Sequence, residues 1–240
     1  MTAFLGFELR RTARDVRFLF FLIAFPVLLY LIESGTAGRG DPHFATRFLA
    51  SMGVWSVMGA GMWASGPQLC RERGSGWIRQ LRVTPLSDGA WLATKLAQGC
   101  LMAVPGVVLL GVTAVLKEHV HVSAGAWAAL LVLFVAGAVP FVFAGLIIGL
   151  RLDAQTGQVA QMMVLIVMAF LGGIFLPLSI MPDALRDVAR ALPSYRLAST
   201  GWDIVDGHAL RLDNAAVLVA WTAVLAVAAV WLWRRESSTG

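Results

Sequence analysis

Few residues of this chain have side chains able to do chemistry, and their spacing serves none of the common catalytic plans. His119 and His121 form an H-x-H pair beside Glu118. Such a pair can begin a metal site, but a closed site needs two further ligands, and solvated loop histidines are the commoner outcome. No serine has an obvious partnered base. The two lysines, Lys95 and Lys117, are followed by Leu96 and Glu118, so neither completes a phosphate-cradling G-x-x-x-x-G-K-[ST] loop. Cys70 and Cys100 read as small apolar fillers rather than a disulfide. The reading is therefore no catalytic residue, no metal and no cofactor in this chain; directional work would have to draw its energy from another subunit.

The residues that do form a pattern lie between two apolar runs. From Gln68 to Lys95 the chain gathers Arg71, Arg73, Arg79, Arg82 and Lys95 against only Glu72 and Asp88. Arg73, Arg79 and Arg82 recur at helical spacing, while Trp77, Ile78 and Leu81 offer an apolar stripe suited to a partner's groove. Pro85 should end this short helix, and Ser87 or Asp88 can cap the next. Glu72, the acidic group beside Arg73 and Gly76, can order those neighbours or pair with a basic residue of a partner. The alternative is a helix resting on lipid headgroups. A second polar pattern, Gln155, Gln158 and Gln161, enters a later apolar run. With Trp55, Trp63, Phe170 and Phe175, Gln158 and Gln161 are candidates to line a substrate path; hydrogen bonding between helices is the competing reading.

The elements that must position these groups are membrane spans. At 58% hydrophobic and 14% charged over 240 residues, the chain is far more apolar than a globular protein, where charged residues make up about 25%. A span needs about 20 mostly apolar residues, and six candidates appear near 18–34, 48–69, 90–115, 125–150, 157–180 and 214–233. The fold class is thus an all-α polytopic membrane protein. It forms one domain over 1–240: an amphipathic segment 1–17, six spans over 18–233, and a tail 234–240. Four arginines precede the first run without a small-residue cleavage site after it, so that span is expected to stay in the mature protein.

Placing the termini and the 70–89 and 151–156 loops inside, with Lys95 at the start of the third span, gives twelve Lys/Arg against six Asp/Glu there; the outside segments, with Glu33 and Arg47 at span ends, hold seven against eight. That asymmetry puts both termini in the cytoplasm by the positive-inside rule. It also accounts for the pI near 10 without nucleic acid. In residues 2–17, Phe4, Leu5 and Leu9 share one half of a helical wheel, and Arg10 and Arg14 lie opposite. This is the pattern of an interfacial helix on the cytoplasmic face of the cell membrane. Short helices are also expected in the 70–88 loop and in the outer 181–200 segment. Gly172 and Gly173 supply small surfaces for dimer or helix packing, and Pro177 follows them. The span interiors hold no ionisable group away from their ends, with Glu33 and Lys95 near boundaries, which argues against ion-coupled transport.

The residues Glu72-Arg73, Gly76-Trp77, Leu81-Arg82 and Thr84-Pro85-Leu86-Ser87 resemble the segment after the second span in ABC type-2 permeases, the membrane subunits of drug, antibiotic and polysaccharide exporters. GGIFLPLSIMPDALRDVARALPSY, Gly172 to Tyr195, is similar to that family's fifth span and following outer segment. Trp77 departs from the commoner loop form, where a smaller or polar residue stands. The resemblance implies a homodimer or heterodimer of permeases driven by two cytosolic ATPase subunits, which bind the ATP and Mg. The 72–87 loop and amino-terminal helix would receive the push, and a hydrophobic or amphipathic compound would move outward. A reading from another class is a scaffold that anchors a soluble partner and transports nothing.

Overall fold

The structure, a computed structural model, describes residues 6, 10, 14, 20–36, 42–76, 87–118, 120, 122–176 and 178–238. Among them every regular element is helical. A π turn, Phe20–Ala24, runs into α1 (Phe25–Thr36). It is followed by α2 (Pro42–Gly74), α3 (Asp88–Glu118), α4 (Ala124–Arg151) and α5 (Ala154–Leu171). A 3₁₀ turn, Leu178–Ile180, leads to α6 (Asp183–Ala191), α7 (Pro193–Val205) and α8 (Leu212–Ser238). Local chemistry sets several of these boundaries. The Ser123 hydroxyl accepts the Ala126 N–H at 3.2 Å to start α4. The Asp153 carboxylate accepts the N–H groups of Gln155 and Thr156, each at 3.0 Å, to start α5. Those bonds, the Thr156 N–H foremost, favour the ionised carboxyl and hold it below the ordinary aspartate value.

Four helices are long and apolar enough to cross a membrane: α3, α4, α5 and α8; Leu22–Thr36 is apolar but shorter. α2 is absent from that set although it has 33 residues. Its surroundings explain why. Every residue from 49 to 70 is buried, because α2 runs through the middle of the bundle and packs on α1, α3, α4, α5 and α7. A helix walled by protein need not be lipid-soluble, so Ser51, Ser56 and Ser65 and a series of glycines replace leucines there.

Close approach of α2 to α4 is the main packing contact. A Cβ on Gly145 would lie 2.6 Å from the Met62 carbonyl oxygen, and one on Gly61 would lie 2.9 Å from that of Ala138. The Ser65 hydroxyl, between them, reaches the Val142 carbonyl at 3.0 Å. At the π turn, Pro26 has no N–H to give the Leu22 carbonyl; the Ser56 hydroxyl donates to it instead, at 3.2 Å.

One expectation changes. The run expected to span 157–180 stops as a helix at Leu171. Gly172 caps it and Gly173 has φ +73, the left-handed conformation that only glycine adopts without strain. Both glycines are buried, and Gly172 packs on Ser194 of α7 in the same chain. The segment 181–200 holds α6 and the first part of α7, and Ser194, Leu197, Ala198 and Gly201 of α7 are buried in the bundle. The expected helix of 1–17, with Phe4, Leu5 and Leu9, falls outside the described residues; Arg10 and Arg14 are exposed.

Candidate functional site

A cluster of buried charged and amide groups forms at one end of the bundle, where the C-terminal part of α2 meets the start of α3 and the end of α4. The opposite end of α2 is marked by Arg47, ion-paired with Asp206 at 2.6 Å, and by Ser51, which accepts the Trp202 indole N–H at 3.0 Å. Glu72 stands twenty-five positions after Arg47, which at 1.5 Å per residue is about 37 Å of helix. That exceeds the roughly 30 Å hydrocarbon thickness of a bilayer, so α2 is long enough to carry these two polar ends well apart.

At the second end, Lys95 Nζ lies 2.8 Å from Glu72 Oε1, with side-chain exposures of 0% and 1%. One turn deeper, the Gln98 amide donates to Gln68 Oε1, also at 2.8 Å and buried. Positions 68 and 72 are one turn apart on α2, and 95 and 98 one turn apart on α3; the helices are antiparallel, so the pairs form two rungs of a ladder. Arg73 Nη1 donates to the Gly149 carbonyl of α4 at 3.0 Å, and Cys70 Sγ lies 3.8 Å from that oxygen. A guanidinium at the C-terminal end of a helix meets the negative end of its dipole. Lys95 also lies 6.0 Å from the centroid of Trp91, and Trp91 stacks on Trp233 of α8 with centroids 4.1 Å apart.

The chain between the two arms is held at each side. Gly76, φ +72, turns the backbone out of α2. Ser87 starts α3, its hydroxyl accepting the Ala90 N–H at 3.2 Å. The 72–87 loop therefore leaves from one member of the buried ion pair and returns eight residues before the other.

The model of the family described as ABC-2 family transporter protein matches residues 42–233, from the first residue of α2 to the tryptophan stacked on Trp91. The chain belongs to that family. It is a transport permease subunit of an ABC transporter and a multi-pass membrane protein. It is also similar to a Bacillus subtilis (strain 168) protein named "Putative transport permease YvfS", 25% identical over 236 residues and covering 96% of each chain.

In this ABC-2 chain the residues singled out from the sequence fall into three groups. Glu72, Arg73 and Gly76 sit at the end of α2, whereas Trp77, Arg79, Leu81, Arg82 and Pro85 lie outside the described residues. Glu72, expected either to order Arg73 and Gly76 or to pair with a basic residue of a partner, is buried and paired with Lys95 of the same chain. Lys95, expected at a span boundary, lies within α3 with no exposure, because Glu72 neutralises it there.

Trp55, Phe170 and Phe175 come together: Phe175 stacks obliquely on Trp55 at 5.1 Å and on Phe170 at 5.3 Å, and Phe25 closes on Trp55 at 5.2 Å. Trp63 is buried about two turns further along α2. The glutamine stripe divides. Gln155 and Gln158 are exposed, whereas Gln161 is 1% exposed and touches the Gly66 and Gly145 region, where its amide makes no hydrogen bond among the described residues. Pro177, His119 and His121 lie outside the described residues, and no three His, Cys, Asp or Glu side chains cluster as metal ligands among those described.

Sequence reasoning missed the Glu72–Lys95 and Gln68–Gln98 rungs and the Trp91–Trp233 stack. A usable signal existed for the first. A lysine inside an apolar run needs a counter-charge, and Glu72 stands at the matching depth across the loop.

Proposed function

We propose that the chain is the membrane-spanning half of an ATP-driven exporter, working as a homodimer or heterodimer with cytosolic ATPase subunits that bind ATP and Mg. It has six spans, counting the π turn with α1 and the enclosed α2, and both termini are cytoplasmic. The observation that carries this reading is the anchoring of the 72–87 loop on a fully buried ion pair. A flexible tether would damp a push from a partner. A loop keyed at one side to Glu72 and Arg73 and at the other to Ser87 and Lys95 passes displacement to α2, α3 and α4 together.

The ion pair suits such a joint. Two charges removed from water hold one another strongly in low dielectric, and separating them is costly; α2 and α3 therefore move as a unit. Trp77, Ile78 and Leu81 supply the apolar contact with the ATPase, and Arg79 and Arg82 the charged rim. The cargo is hydrophobic or amphipathic. The aromatic group of Trp55, Phe170 and Phe175 offers it a flat apolar wall, and Gln161 offers an unengaged amide in the bundle core.

The reading is tested by co-purifying the permease with the ATPase encoded beside it and reconstituting both in vesicles. ATP-dependent outward movement of an amphipathic reporter, lost without the ATPase, is expected. A permease that never associates with such an ATPase would instead be a scaffold for some other partner.

A further inference from the structure

At the end of the bundle that carries the ion pair, a groove of about 200 Å³ opens between α3, α4 and α8. Its walls are Leu92, Leu146, Leu150, Ala229 and Val230, and Arg234 stands at its edge. We propose that this groove holds an acyl chain of an anionic phospholipid from the inner leaflet, with its phosphate on Arg234. The proposal rests on the reading that α8 ends on the cytoplasmic side.

Three observations select this occupant. First, the walls are apolar and belong to helices of membrane-crossing length, so a hydrocarbon chain fits where a polar solute would not. Second, Arg234 is exposed and forms no ion pair among the described residues; Arg235 follows it, stacked 4.0 Å from the Trp231 ring centroid. Basic groups between helices at the cytoplasmic interface attract anionic headgroups. Third, Trp91 lines the groove, is only 4% exposed, and its indole N–H has no acceptor among the described residues. A phospholipid supplies ester and phosphate oxygens at that depth, and an indole N–H left unpaired in an apolar site is costly. The occupant would also lie against Trp91, which faces Lys95 and stacks on Trp233. The lipid would thus brace the start of α3, where the 72–87 loop returns to the bundle.

Native mass spectrometry of the purified chain in detergent, titrated with phosphatidylglycerol or phosphatidylcholine, reads this directly. One phosphatidylglycerol per chain is expected to be retained in preference to phosphatidylcholine. Arg234→Gln should weaken phosphatidylglycerol about fivefold while leaving phosphatidylcholine unchanged, from the roughly 1 kcal/mol that one basic residue contributes near an anionic surface. Val230→Trp, which fills the groove from a half-buried position, should lower retention of both lipids. Equal retention of the two lipids by the wild type would overturn the proposal. So would an unchanged preference in Arg234→Gln, or unchanged retention in Val230→Trp. Detergent binding is blind to orientation, so the topology is tested separately by labelling Ser238→Cys in intact cells. External labelling alongside a retained lipid preference would overturn the topology and leave the groove standing.

Discussion

Glu72→Ala should be among the most damaging single changes in this chain that adds no bulk. In the native bundle Lys95 Nζ is 2.8 Å from Glu72 Oε1 and wholly buried. Truncating Glu72 leaves an ammonium in the interior without its counter-charge, and breaking a buried pair in this way costs about 3–5 kcal/mol. For a domain of this size, 1 kcal/mol moves the melting temperature by about 2–4 °C, so a drop of roughly 6–20 °C is expected. The pair itself is a different matter. Replacing both partners by apolar residues of similar volume is often neutral or stabilising, so Glu72→Leu combined with Lys95→Met should melt near the wild-type temperature or above it. The assay is thermal unfolding of the detergent-purified chain at neutral pH, for the wild type, both single variants and the double, read as a double-mutant cycle. If Glu72→Ala melts within about 0.5 kcal/mol of wild type, as a surface glutamate would, the buried-pair reasoning is refuted. The double variant carries a functional corollary: it should keep the fold and lose part of the coupling between ATP hydrolysis and transport.

Gly145→Ala should destabilise by about 1–3 kcal/mol, the usual range for overpacking, because its methyl would meet the Met62 backbone; Gly89→Ala, whose methyl meets nothing within 4 Å, is the matched control in the same melting experiment. Gln161→Leu should leave the melting temperature unchanged or raised, since it removes a buried amide that makes no hydrogen bond among the described residues, yet it should slow transport in vesicles; full activity would take Gln161 off the path. Asp153 should titrate in NMR with a midpoint below 3.8, the ordinary value, because the ionised form accepts the N–H groups of Thr156 and Gln155. A lowered folded-state pKa means that this cap's contribution is complete above the unfolded value and is lost as pH falls through the folded one, so Asp153→Asn should flatten any acid-side loss of stability at the start of α5.

The parts of this fold that were legible in the sequence are those whose surroundings are uniform. α3, α4 and α8 face lipid-compatible surface along much of their length, so apolar composition alone marks them. Ser87 is a short polar residue placed just before a helix, and it caps α3 as its type suggests. α2 was found as an apolar run, but its role as the enclosed centre was not. Hydropathy reports what a helix could face, and Ser56 or Gly61 looks equally poor for lipid or good for packing.

The early stop of α5 depended on Gly173 entering a left-handed conformation, which a Gly-Gly pair permits without requiring. The pairing of Glu72 with Lys95 was not legible, because Arg71 and Arg73 beside it marked the stretch as the basic 70–89 loop. Lys95 lies twenty-three positions away on another helix, and only the antiparallel pairing of α2 with α3 brings the two together. The aromatic group around Trp55 was assembled for the same reason, from α1, α2, the end of α5 and the turn that follows it.

The claim on which the account turns is that a cytosolic ATPase drives this subunit through the 72–87 loop, and Trp77→Ala tests it most directly. Trp77 is the largest apolar side chain that the loop offers, and a buried aromatic anchor at an interface is worth about 2 kcal/mol or more. The measurement is capture of the ATPase by matched amounts of membrane-inserted wild-type and Trp77→Ala permease, with ATP turnover in reconstituted vesicles. The expected result is normal insertion and melting, with at least about thirtyfold weaker capture and loss of substrate-stimulated turnover. Undiminished capture and turnover by Trp77→Ala would contradict the account and leave the loop as a helix lying on lipid.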